Sequence, residues 1–309
     1  MSDQEQLDWE ARLGRPAAVA AFAAGVLQLA GTVLLQSLVE DRPRIETLPD
    51  FLLSVAESSG TLIAQAGIQV LAVLCLIPVF YYLFRATVHR VPEMPRVIVY
   101  LIFIGPVMYA IAQVLGSIDR VDLAEMFADR DYRFENPDEA RLENCPEIQG
   151  QLGEDCAEEL VVTEQSALVS GLSLAGGLAV ALTFILVSLR SRRAGLLSPL
   201  MGILGVAVGA LLILQILQIL PVGPSLIEVF WLIALGGLLL GRWPGGRGPA
   251  WESGKPDPWL SPAQRRGIVA PPEAEGPAGN GVPPEPGPER EPEPVPKRPS
   301  SRKRKRKRR

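Results

Sequence analysis

From Ser166 to Leu240 the chain reads SALVSGLSLAGGLAVALTFILVSLRSRRAGLLSPLMGILGVAVGALLILQILQILPVGPSLIEVFWLIALGGLLL. Three apolar runs are broken only twice, by Leu189-Arg-Ser-Arg-Arg193 and by Pro221-Val-Gly-Pro224. Each run is about 17 to 26 residues long, and a helix needs roughly 20 to cross a ~30 Å hydrocarbon core. A soluble helix keeps a polar face. Three such runs in succession without one predict an all-α fold: a polytopic membrane helix bundle.

Working outward, the same reading predicts six transmembrane helices, at 17–38, 61–84, 97–118, 167–189, 195–220 and 224–240. Residues 1–16 form a polar N-terminus, and Pro16 falls where a helix accepts proline, in its first turn. The apolar run after Arg15 is too long for the core of a cleaved signal peptide, so an uncleaved first span is expected. Asp50, ahead of Phe51-Leu-Leu53, reads as the N-cap of a brief surface helix leading into span two. Pro78 is expected to kink that span. Span six, at about 17 residues, crosses with little tilt to spare.

Arginine placement predicts the threading. Arg is concentrated before span one, between spans two and three, between four and five, and after six. The alternating loops are acidic or, at Pro221–Pro224, uncharged. Positive loops stay cytoplasmic. The expected location is therefore the cell membrane, with both termini cytoplasmic and the loop 119–165 outside. That loop holds fifteen acidic and four basic residues.

Residues 242–309 are expected to be a cytoplasmic tail rich in Pro, Glu and Gly. Trp243 is placed to anchor in the interfacial belt, with Trp251 and Trp259 along the surface. Pro271 to Pro299 has no apolar periodicity and should be an extended, disordered spacer. The last thirteen residues carry ten positive charges, so with a net charge of −4 the chain before them sums to −14. The run Arg302, Lys303, Arg304, Lys305, Arg306, Lys307, Arg308, Arg309 calls for an anionic partner: lipid headgroups, nucleic acid or protein. No aromatic residue is interleaved with it, which argues against base reading.

This layout, with a Gly241-Arg-Trp-Pro244 turn closing the last helix, resembles the uncharacterised six-span membrane proteins of GC-rich bacteria over about residues 10–260. The resemblance implies a helix bundle and no particular activity.

Small residues mark helix contacts. Gly202, Gly205 and Gly209 lie in span five, and Gly171, Ser173, Ala175, Gly177 and Ala181 in span four. Such spacing lets backbones approach closely. Packing of spans four and five on each other is the favoured reading, and oligomerisation through these faces the other. Cys75 reads as a packing residue, while Cys145 and Cys156 in the outer loop are candidates for a disulfide, the alternative being two free thiols. The carboxylates Glu154, Asp155, Glu158 and Glu159 lack the spacing of a calcium loop and read as a solvated face. One histidine, His89, and no Cys-x-x-Cys leave no zinc pattern, and no nucleophile elbow, His-Glu-x-x-His or P-loop occurs. No enzyme, metal or cofactor is expected.

Depth along the spans suggests one further constellation. Gln65, Gln69, Gln113, Gln215, Gln218 and Glu228 all fall toward the outer side. Amides and a carboxyl facing hydrocarbon would be unsatisfied, so they should turn inward on one another or on water. The plain version is interhelical hydrogen bonding; the sharper one is an outward-facing polar pocket around Glu228. Two function classes follow. The first is a structural or interaction protein whose basic tail engages an anionic partner. The second is a small-solute transporter or sensor, against which stands the lack of Lys, Arg and Asp within the spans.

Overall fold

The computed structural model describes residues 2–40, 48–129, 167–217, 226–243, 246–257 and 259, with the side chains of 35–50 and 129 excepted. The described residues form eight helices and no strand: α1 Asp3–Glu40, α2 Leu48–Glu57, α3 Ser59–Arg90, α4 Val97–Asp129, α5 Ala167–Arg193, α6 Pro199–Ile216, α7 Leu226–Leu239 and α8 Ala250–Ser253. α1, α3, α4, α5 and α6 are each long and apolar enough to cross a membrane. α7 is apolar but has 14 residues. At a 1.5 Å rise that is ~21 Å, short of a ~30 Å core. Residues 218–225, where the sixth span was expected to begin, lie outside the described residues.

The long helices close into a ring. Each of α1, α3, α4, α5, α6 and α7 packs on the next, and α7 returns to α1. Phe80 of α3, Phe184 of α5 and Trp231 of α7 meet inside it, with ring centroids 4.7 to 6.2 Å apart and each side chain at most 1% exposed. The outside is apolar as well: Val19, Val26, Leu71, Tyr100, Ile104, Leu168 and Phe230 are all exposed. Apolar side chains on both faces of a helix are what a bilayer, and not water, allows. A second, smaller core lies at the end away from the arginines, where Leu52 and Val55 of α2 pack with Leu62, Val121, Leu123 and Ala124.

Helix ends depart from the sequence reading in one direction. The polar flanks are helical too. α1 starts fourteen residues before the expected span, closed by a reciprocal pair in which the Ser2 N–H donates to Glu5 Oε2 at 2.8 Å and the Glu5 N–H to Ser2 Oγ at 3.3 Å. Pro16 therefore lies inside α1, not in its first turn. It is exposed and sits where the apolar run begins, so the carbonyl it leaves without a partner is at the rim of the bundle. α2 starts at Leu48, so Asp50 is within it and is not its N-cap. α4 continues through the first eleven residues assigned to the outer loop, because Val121, Leu123 and Ala124 are buried under α2. α6 starts at Pro199 and not at 195: Ser198 Oγ accepts the Met201 N–H at 3.2 Å, and proline at the first position needs no donor.

The largest departure is after α7. Residues 246–259 were read as the start of a free tail, yet the compact unit extends to Trp259. Ala250 and Trp251 are buried. The stretch is held at the α5–α6 turn, where Gly195 has φ +76° and a Cβ would collide with the Asp257 carbonyl oxygen. Only glycine meets both demands. Residues 260–309 lie outside the described residues.

Candidate functional site

Of the expected polar constellation, Gln65, Gln69, Gln113, Gln215 and Glu228 are among the described residues. Gln69 lies over Gly31 of α1, where a Cβ would come within 2.7 Å of its amide nitrogen. Gln65 and Gln113 are half-buried, Gln113 one turn beyond Tyr109. Gln215, in the last turn of α6, is half-buried and engaged in an interaction. Glu228 is buried, at 6% exposure, and also engaged. It lies within electrostatic range of Tyr109 of α4. Gly177 opens space for Tyr109 and for Ile216, whose Cδ1 would stand 2.7 Å from a Cβ there. Gln218, Cys145, Cys156 and Arg302 to Arg309 lie outside the described residues.

The strongest polar cluster lies at the other end, and the sequence reading passed over it. Glu10 of α1 and Arg90, the last residue of α3, form a buried two-pronged pair: Nη1 donates to Oε1 at 2.6 Å and Nη2 to Oε2 at 2.9 Å. Both side chains are at most 4% exposed. Gln6 Nε2 donates to the same Oε1 at 2.8 Å. Arg90 also donates through Nε and Nη2 to the Ala250 carbonyl, and through Nη1 to the Ala86 carbonyl. The guanidinium thus has a partner on each edge. This satisfies the condition under which a buried charge is tolerated.

Around this pair runs a five-layer stack. Arg85 lies over Trp9 at 4.7 Å. Trp9 stacks on Tyr82 at 5.4 Å, and Tyr82 on Trp251 at 5.8 Å. Arg90 lies over Trp251 at 5.6 Å. The two cations close the stack by facing the negative π-surfaces. The polar tips are used too: Tyr82 Oη donates to the Glu10 carbonyl at 3.0 Å, Trp251 Nε1 to the Leu196 carbonyl at 2.9 Å, and Trp259 Nε1 to the Gly195 carbonyl at 2.9 Å. Thr87 and Ser191 join α3 to α5 through their hydroxyls at 2.9 Å, and His89 meets Asp3 at 3.1 Å.

This cluster ties the start of α1, the end of α3, the α5–α6 turn and residues 246–259 into one node. Its chemistry is that of a clasp, since both carboxylate oxygens of Glu10 and every edge of Arg90 are occupied. A signal for it was present in the sequence. The buried stripe of α1 runs Gln6, Glu10, Gly14, Ala17, Ala18, Ala21. The face that Ala17 begins in the apolar run therefore extends back at helical spacing through polar residues, and a hydropathy reading stops at Pro16.

Small residues make the α5–α6 contact. Cβ atoms at Gly202, Gly205 and Gly209 would meet Arg192, Ser188 and Ile185 of α5. In α5 itself Gly176 receives the Tyr109 backbone of α4, whereas Gly171 has nothing within 4 Å. Comparison with protein-family models, with curated proteins and with solved structures finds no match for this chain.

Proposed function

We propose that this chain is a non-catalytic, multi-pass anchor of the cell membrane. In this reading it crosses six times with both termini cytoplasmic, and it presents its polybasic tail to an anionic partner, lipid headgroups foremost. The observation that carries the reading is the filled centre of the ring. Phe80, Phe184 and Trp231 occupy the middle with almost no accessible surface, which leaves a solute no route at that level. Ten of the chain's positive charges lie in its last thirteen residues. The test is binding of the full-length protein to anionic vesicles at low salt, beside a variant with Arg302 to Arg309 all changed to Gln. The reading expects the variant to lose most of the binding, with nucleic acid as competitor to rank the partners. Equal binding by both proteins overturns it.

A second reading, a small-solute transporter or sensor with an outward-facing polar pocket, has one observation in its favour. Glu228 is a buried carboxyl in an apolar helix, within electrostatic range of Tyr109. Intramembrane carboxyls cluster at functional positions. Glu228→Gln should then abolish a cation- or proton-dependent response while leaving expression intact, and an unchanged response removes this reading.

A further inference from the structure

The exposed apolar side chains do not scatter over the bundle; they form stripes, and the stripes share an ending. On α1 the exposed face runs Arg12, Arg15, Val19, Val26, Leu29, Val33. On α4 it runs from Arg96, one residue before the helix, through Tyr100, Phe103, Ile104, Val107, Ile111, Val114 and Ile118. On α5 it runs Leu168, Leu174, Leu182, Leu189 and ends at Arg193. The stripe of α7, Leu226, Phe230, Ile233, is followed after the helix by the exposed Arg242. Spacings of three, four and seven place Arg15 and Arg96 on the faces of their stripes and Arg193 on the face of Leu182 and Leu189, while Arg242 follows the end of α7. α1 and α4 enter the ring from this end and α5 and α7 leave by it, so the four arginines lie toward one end of the bundle.

No contact among the described residues accounts for these guanidinium groups. Among the described residues the ion pairs join His89 to Asp3 and Arg90 to Glu10, and no ion pair or hydrogen bond engages the side chain of Arg15, Arg96, Arg193 or Arg242. The helix dipole favours Arg193, at the end of α5, but disfavours Arg96, at the start of α4. Arg15 lies in a helix interior. Helix polarity thus differs from one arginine to the next, while position at the edge of an exposed apolar stripe is common to all four.

We infer that these arginines form a girdle that binds the phosphates of anionic phospholipids whose acyl chains lie along the stripes. A guanidinium accepts a phosphate through two parallel N–H donors, and a lipid on the stripe brings its phosphate to the level where the stripe ends. On α1 the nearest acidic residue, Glu10, is taken up by Arg90, and Asp3, Glu5 and Asp8 lie seven to twelve positions before Arg15, ~10–18 Å along the helix; Glu93 is exposed three positions before Arg96. The girdle is distinct from the C-terminal polybasic run and depends on the membrane-embedded reading alone.

The test uses the full-length protein in mixed bilayers of anionic and zwitterionic phospholipid, with co-purified lipid counted by mass spectrometry. Two variants are compared with the parent: Arg15→Gln, Arg96→Gln, Arg193→Gln and Arg242→Gln together, and Arg302 to Arg309 changed to Gln. Anionic enrichment is expected to fall by about tenfold in the girdle variant at low salt and to persist in the tail variant. Persistence in the girdle variant, or loss confined to the tail variant, overturns the inference and leaves the tail proposal standing. A measurement without mutation guards against misfolding. A photoactivatable anionic lipid, its reactive group in the head, should cross-link the unaltered protein near residues 12–19, 93–100 and 189–196. Cross-links absent from all three segments overturn the inference equally.

Discussion

At the scale of single residues, the Glu10–Arg90 pair makes the sharpest demand. Both charges are out of water, and each is satisfied chiefly by the other. Arg90→Ala leaves a buried carboxylate uncompensated and should cost about 3–5 kcal/mol, read as a fall in the detergent melting temperature. Replacing both partners, Glu10→Leu with Arg90→Met, should cost clearly less than Arg90→Ala alone, because no bare charge is left behind. A double variant as unstable as the single one would mean that the remaining bonds to Ala250 and Ala86, and not the pair, hold this end. Residues such as these are the hardest to read from sequence. Arg90 appears beside Arg85, His89 and Arg96 as one more loop cation. What separates it from them is a carboxylate 80 positions away and a carbonyl 160 positions away.

At the scale of elements, close approach is the theme. Gly205 sits against Ser188 and the indole of Trp231, and a methyl group there would collide with the serine hydroxyl. Gly205→Ala should therefore force α5 and α6 apart at a cost of about 1–3 kcal/mol. Gly171→Ala, with open space around it, should leave the melting temperature unchanged or slightly raised. Equal effects at the two sites would show that α6 does not dock as described. Helix existence was legible because hydrocarbon imposes twenty-residue apolar runs that nothing else imitates. Helix ends were not. Pro16, Asp50 and Asp119 each carry a local signal for a boundary, and each lies inside or against a helix whose packing continues past it. The Gly-x-x-x-Gly spacing of Gly205 and Gly209 was readable as a close contact. The choice between an intramolecular face and a dimer face was not, since both need the same small residues.

At the scale of the molecule, the folded unit ends at Trp259, well beyond the last apolar helix. A chain ending after residue 259 should melt like the full-length protein. One ending after residue 245 loses Trp251, the Ala250 carbonyl and both indole bonds to the α5–α6 turn, and should melt several degrees lower. Equal melting of the two would reduce residues 246–259 to an ornament. Threading is tested by thiol labelling with a membrane-impermeant reagent in intact cells. A cysteine replacing Ala140 should react and one replacing Glu93, which is exposed, should not. Ser191 would be a poor reporter, because it is buried whichever way the chain runs. The reverse pattern would overturn the proposed orientation. Mass spectrometry of non-reduced protein should find Cys145 joined to Cys156, and a free Cys145 would count against the bridge.

The clasp also sets a schedule. Glu10 and Arg90 are among the first residues made, yet the carbonyl that completes the guanidinium belongs to Ala250, 160 positions after Arg90. At about 5–20 residues per second, roughly ten to thirty seconds pass between the two. Through most of that interval α1 has α3 on one side and lacks α7, which is complete only at Leu239. The nascent protein therefore waits as an open arc, its first helix exposed along the seam it will share with its last. Closure is a single late event, withheld until almost the whole membrane domain has been synthesised. A ribosome that stops before Ala250 releases a chain that has every long helix and lacks the carbonyl that completes the guanidinium.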